Sequence, residues 1–279
     1  MRLIKGFLFL IICIAGLVLS GCNKNDTADN IVLTVTPANM VVAPGGFASY
    51  TIFGSSKAPL VVLNAIPTYN GVRVPTIDTP FLISQYYYSF IWNLPVSASA
   101  ENLETGSFTW TLSDKNGQTA TQTTTFTVKT VSVKDSVVLS NQNFYATDSQ
   151  LIYTAMNAAK ADSFIDFVFY TDTISGIVVY NIAAPADPSV QASGKWTVRN
   201  TTSFKVLPGS AINFAGLNAP IIENLYNGSS AKPGTIITNL ASNEFIVFLT
   251  AAGKYGVIQV VSISAASGYI LTMNIMAEK

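Results

Sequence analysis

The chain has 279 residues, 49% of them hydrophobic, and its 15 basic and 15 acidic side chains cancel to a net charge of zero. It has no histidine, which excludes Ser-His-Asp and Cys-His nucleophiles in their usual forms, histidine-ligated zinc, copper and non-haem iron, and a histidine pH switch. Beyond residue 2 only Arg73 and Arg199 are arginines, and no basic stripe supplies the dense phosphate contacts of a nucleic-acid-binding surface.

Arg2 and Lys5 open the chain as a short positive region, Phe7 to Val18 follow without charge, and Leu19-Ser20-Gly21-Cys22 closes the run. This is the layout of a secretory signal. The apolar core is shorter than the roughly 20 residues a spanning helix needs, and polar Asn23-Lys24-Asn25-Asp26 comes at once. Leu-Ser-Gly-Cys resembles the bacterial lipobox at all four positions. The resemblance implies a signal at 1–21, acylation of Cys22 and attachment to the outer membrane, on its periplasmic or cell-surface face. Each buried methylene of an acyl chain contributes about 0.8 kcal/mol, so several chains hold firmly. Residues 22–30 read as a flexible tether. Cys13 leaves with the signal and Cys22 is spent on lipid, so the mature chain must be held by its hydrophobic core without disulfides.

From Ile31 the texture is β. Ile31 to Thr36, Met40 to Ala43 and Ala48 to Phe53 are strand-like runs cut by Pro37 and Pro44-Gly45-Gly46. Ser107 to Leu112 and Gln118 to Val128 flank Asp114-Lys115-Asn116-Gly117, a hairpin signal because Asn and Gly both tolerate positive φ. Phe108, Trp110 and Leu112 alternate with Thr109 and Thr111, which predicts one buried and one wet face. Lys129 to Asp135 reads as a link. Beyond it, Phe164 to Tyr170 and Ile177 to Ile182 flank the turn Ser175-Gly176. Trp196 to Arg199 and Ser203 to Val206 are further strand candidates, and Glu244 to Leu249, Gly256 to Ile263 and Tyr269 to Met276 predict a closing meander. Ser149 to Ala159 has helical spacing, and Pro220 to Tyr226 suits a helix opened by proline.

The pattern predicts a mainly β protein of two antiparallel β-sandwich domains, 31–130 and 131–279, the second with one or two short helices. Leu-Thr-Val-Thr-Pro, Val-Ala-Pro-Gly-Gly and Phe-Thr-Trp-Thr-Leu-Ser-Asp-Lys-Asn-Gly-Gln-Thr-Ala, in that order, resemble bacterial immunoglobulin-like domains. Asp-Phe-Val-Phe-Tyr, Ala-Ala-Pro-Ala-Asp-Pro, Trp-Thr-Val-Arg-Asn-Thr-Thr-Ser-Phe-Lys and Gly-Lys-Tyr-Gly-Val-Ile-Gln-Val resemble the C-terminal region of Bacteroidetes-type cell-envelope lipoproteins. That resemblance implies a β-rich envelope domain and brings no catalytic residues with it.

Tyr86, Tyr87 and Tyr88, with Phe90 and Trp92, are the densest aromatic group and the candidate ligand platform. Strand alternation puts Leu82, Tyr86, Tyr88, Phe90, Trp92 and Leu94 on one face, a core face by its composition, and leaves Tyr87 on the other. Asp166, inside an apolar run, needs a partner if buried, and Arg199 is the first choice, with Lys195 and Lys205 as alternatives. Asp114 with Asn116, or Asp162 with Asp166, are the nearest approach to a calcium ligand set, but no clustered oxygen loop exists, and no metal or cofactor is expected. Six of the ten aspartates precede Ser or Thr. Thr27, Ser136 and Thr173 are each followed by an apolar residue, a pattern similar to a short O-glycosylation signal on exported proteins of that bacterial group. Turn and cap chemistry explains the same residues.

The expected function is a non-catalytic, lipid-anchored envelope protein that binds a glycan or another cell-surface ligand. The alternative is a structural or adhesive subunit resembling fimbrial precursors, with Arg73 as a processing site. An enzyme would be confined to carboxylates, Tyr, Ser or Lys, and glycoside hydrolysis would need two facing acids.

Overall fold

The computed structural model describes residues 31–73, 75–190, 196–208, 212–265 and 268–279. Cys22, Thr27 and the tether lie outside the described residues, as does Lys195. Strands pair in four sheets, mainly antiparallel. Those from 32 to 128 pair only with one another, and so do those from 131 onward.

The first set is a sandwich. One sheet has the order β1 (Val32–Thr36), β3 (Phe47–Ser55), β7 (Tyr87–Pro95). The other runs β2 (Asn39–Val42), β9 (Thr119–Val128), β8 (Thr105–Asp114), β4 (Leu60–Tyr69), β5 (Val72–Arg73), with β6 (Ile77–Pro80) also on β4. Phe108, Trp110 and Leu112 of β8 are buried as the alternation predicts. Tyr50 of β3 meets Phe108 and Trp110 edge-on, at ring separations of 5.6 and 5.7 Å. The sheets approach so closely at Gly54 that a Cβ there would fall 2.5 Å from Leu112 Cδ2. On the wet face, Thr109 and Thr111 pair with Thr123 and Thr121 through their hydroxyls. The hairpin forms where Asn-Gly predicts: Gly117 has φ +76, and Asp114 accepts from the N–H groups of Asn116 and Gln118.

The later strands build a second sandwich. Its sheets are β10 (Val131–Ser140), β19 (Ile270–Glu278), β18 (Tyr255–Ser264), β17 (Phe245–Leu249), β15 (Ser203–Leu207), and β12 (Leu151–Tyr153), β11 (Asn143–Ala146), β13 (Phe167–Ile174), β14 (Ile177–Ala183), β16 (Ile236–Ile237). Between them lie Tyr145, Phe167, Phe169 and Ile182 from one sheet and Phe204, Ile246, Phe248 and Ile258 from the other. Both outer faces are covered as well. Helix α2 (Ala219–Gly228) lays Ile222 and Tyr226 on Val247, Val257 and Met276. The short helix α1 (Ala155–Ala158), with Ile165 and Val190, covers Phe144 and Val168. Sheets covered on both faces produce near-continuous apolar strands, which is why this half reads as dense hydrophobic runs.

Several local readings change. Lys129 to Asp135 is not a link, since β10 begins at Val131. Leu151 and Ile152, read as helical, belong to β12, whose pairing with β11 overrides their spacing. The run from Phe164 is a strand only from Phe167, because Asp162–Phe164 forms a 3₁₀ turn. Trp196 to Arg199 is not a strand. The proline-opened helix forms, capped by Asn218, whose side chain accepts from the Ile221 N–H at 3.1 Å.

Compactness divides the chain differently from strand pairing. One unit holds the described residues up to Ala38, Ser49–Trp92 and Ser107–Thr125; the other holds Asn39–Ala48, Asn93–Gly106 and Phe126–Lys279. Among the described residues no helix is long and apolar enough to cross a membrane.

Candidate functional site

The aromatic segment forms the end strand β7 of the three-stranded sheet. The chain enters it with two backbone bonds: Leu60 N–H donates to Gln85 O at 2.7 Å and Ser56 N–H to Tyr86 O at 2.9 Å. Tyr87 is 72% exposed, as its parity predicts. The opposite parity does not seal a core. Tyr86 is 52% exposed and Phe90 49%, while Tyr88 and Trp92 are half-buried.

Tyr88, Phe90 and Trp92 instead line one wall of a cleft of about 370 Å³. Ile77 and Thr79 of β6 form the facing wall, and Ile52, Leu63, Ala65 and Trp110 the floor. The row is stiffened by its neighbours. Phe81 packs edge-on to Tyr88 at 4.8 Å, and Trp92 to Trp110 at 5.0 Å. Burial pushes the Tyr88 phenol above its usual range. The lining is mostly apolar, with the Thr79 and Tyr88 hydroxyls as its side-chain oxygens, so the cleft can hold an apolar body or the apolar face of a ring. The exposed Tyr86 and Tyr87 add stacking surface and hydroxyls beside it on the same segment.

Asp166 is buried, but the expected pair with Arg199 does not form. Both the Thr147 N–H and the Thr147 hydroxyl donate to Asp166 Oδ2, at 2.7 and 2.6 Å, and Arg199 is exposed. Burial raises the Asp166 carboxyl above its ordinary value, against the lowering effect of the Thr147 bonds. The cation it senses is Lys254, which itself pairs with Asp148 at 2.8 Å. Lys205, another alternative partner, is occupied elsewhere: its ammonium donates to the Tyr226 and Ser229 carbonyls at the end of α2, at 2.8 and 3.1 Å. Tyr145, beside Asp166, is pushed up to about 12 by burial first and by the Asp166 charge second.

Asp162 is spent on structure. Its Oδ2 accepts from Thr197 N–H and hydroxyl and from Val198 N–H, at 2.6, 2.8 and 3.0 Å. Those bonds lower its carboxyl. Asp114 is likewise lowered, first by the Ser56 hydroxyl at 2.6 Å. Among the described residues no group of three or more acidic, His or Cys side chains could hold a metal ion. Ser136 is exposed with φ +55, at the irregularity between Lys134 and Val137 in β10, and Thr173 is exposed near the tip of β13. Arg73 is exposed on β5, a two-residue strand.

Sequence reasoning missed the buried Asp187. It accepts from the Ser189 N–H and hydroxyl and from the Thr235 hydroxyl. The Asp-Pro-Ser spacing at 187–189 was the available signal, since Asp and Ser two residues apart make local turn bonds.

No family model matches the chain, and no curated protein matches it. Among solved structures it is similar to a CARDB domain of a Pyrococcus furiosus protein, solved in complex with di-metal ions. The match has 13% identity and a TM-score of 0.23, over 36% of this chain and 93% of that one.

Proposed function

We propose that this is a non-catalytic, lipid-anchored protein of the Bacteroidetes-type cell envelope that binds a cell-surface glycan through the β7 edge of its first sandwich. The observation that carries this reading is the aromatic row that strand alternation assigned to a core: it borders an apolar cleft instead, with Tyr86 and Tyr87 exposed beside it. Apolar sugar faces stack on such rings while ring hydroxyls reach polar partners. Tyr87→Ala removes one exposed ring and should weaken retention on polysaccharide affinity gels about tenfold, the worth of one aromatic contact, with an unchanged melting temperature. Unchanged retention, or no binding on a broad glycan array, removes the reading. The anchor is tested separately: labelled palmitate should enter the wild type and be lost in Cys22→Ala.

Thr27, Ser136 and Thr173 are proposed O-glycosylation positions, the latter two supported by their exposure. The alternative, a structural or adhesive subunit, draws on the position of β7 at a sheet end beside an apolar cleft. Adding a strand from another molecule requires such an edge and groove. A strictly monomeric protein at high concentration, uncleaved at Arg73, counts against it.

A further inference from the structure

The sheet containing β13 carries a second cavity, of about 210 Å³, on its outer face. Drug-sized ligands occupy pockets from roughly 300 Å³ upward, so this one suits a single small group. Alternation along β13 brings Val168, Tyr170 and Asp172 to the same face, and all three line it. Phe144 and Val168 are buried and give an apolar base. Gln142, Thr171 and Ser189 complete the polar part of the wall.

The hydroxyl protons of Tyr170 and Ser189 are already committed. Tyr170 donates to Ser189 Oγ at 2.7 Å, and Ser189 donates to Asp187 Oδ1 at 2.5 Å. The Ser189 N–H donates to the same oxygen at 2.9 Å, and the Thr235 hydroxyl takes the other. A hydroxyl that has given its proton inward can offer a ligand only lone pairs. The wall therefore presents Tyr170 Oη, Ser189 Oγ and the exposed Asp172 carboxylate as acceptors. Asp172 Oδ1 takes the Thr173 N–H at 2.7 Å, which leaves its second oxygen for a ligand. Gln142 can donate. The charge agrees, because Asp172 at the rim and Asp187 behind the relay are both acidic and, among the described residues, no cation lines the cavity.

We propose that this cavity binds an organic cation, a guanidinium or primary ammonium group, between the Tyr170 ring and the Asp172 carboxylate. Such a group is all donor, which matches the acceptors of Tyr170, Ser189 and Asp172, and a positive group gains from an aromatic wall as well as from the carboxylate. A neutral sugar would need donors for its own oxygens, and neither the carboxylate nor the committed hydroxyls of Tyr170 and Ser189 supply them. The site is independent of the aromatic cleft and stands or falls without it.

Calorimetric titration of the full-length protein in detergent at pH 7 and low salt tests this, with arginine amide, the peptide Gly-Arg-Gly and glucose as probes. The expected result is saturable binding of both arginine probes, weakened about tenfold by Asp172→Asn, the scale of one charge-assisted hydrogen bond. Added salt should weaken it further. Tighter binding of the peptide assigns the cation to a protein side chain, and tighter binding of arginine amide to a small molecule. Asp172 is exposed, so the variant should keep the wild-type circular dichroism spectrum, and Tyr170→Phe, which keeps the ring and removes Oη, gives a second reading of the same wall. Absence of saturation by either arginine probe overturns the proposal. So does wild-type affinity in Asp172→Asn, or glucose binding in place of the arginine probes.

Discussion

Two buried aspartates four positions apart carry opposite consequences. Asp162 is surrounded by donors that favour its charge, whereas Asp166 has two bonds from one threonine and pays more for losing water. Hydrogen bonds to a carboxylate lower its pKa and desolvation raises it. Asp162→Asn should therefore melt below wild type at pH 7, because an amide accepts those three N–H and O–H bonds more weakly. Asp166→Asn should melt at or above wild type at the same pH, since the replaced group favours its neutral form. Calorimetry at pH 7 separates the two, and a lower melting temperature for Asp166→Asn would refute the assignment.

At the scale of elements, α2 offers the cleanest test. Asn218 satisfies one of the amide donors that a helix start leaves open, so Asn218→Ala should cost about 1 kcal/mol, read from the shift in denaturant midpoint. Elements were legible where the signal was local. The Asn-Gly hairpin, the proline-opened helix and the closing meander all form near their predicted residues. They were illegible where a distant partner decided. Trp196 to Arg199 has strand-like chemistry, but its N–H groups are held by Asp162, 35 residues earlier in the chain at Thr197. Leu151 and Ile152 have helical spacing, yet β11 takes them as a strand. The candidate site divides in the same way. Tyr86 to Trp92 could be read as an aromatic strand with Tyr87 outward. That its other face borders a cleft depends on β6 pairing with β4, Ala65 opposite Ile77 and Leu63 opposite Thr79, a register that no feature of residues 86–92 encodes.

For the molecule as a whole, the absence of histidine and the pattern of carboxyl shifts set the response to acid. Asp114, Asp162 and Asp187 are all lowered in the folded state. For Asp187 burial acts upward, but its bonds from Ser189 and Thr235 outweigh it. A lowered carboxyl contributes stability that is present above the ordinary carboxylate value and is lost as pH falls through the lowered one. Asp166, being raised, contributes in the opposite sense: its share is present below the ordinary value and is lost as pH rises through the raised one. No histidine titrates between about pH 6 and 8, and unfolding free energy should fall in acid as the three lowered carboxyls lose their charge. A denaturant series across pH checks this, and a maximum below pH 4 would contradict it.

The order of strands in the later sheet has a consequence for how the chain comes together in time. β19 follows both β10 and β18 in the chain, and so emerges after them during synthesis, yet lies between them. Until residues 270–278 arrive, β10 has no neighbour in that sheet and β18 is bare along one side. A polypeptide halted before them would carry two unsatisfied ladders, both able to recruit foreign strands. Ribosome-stalled or prematurely terminated products should therefore be the aggregating species, and this half of the protein should mature only in one late step.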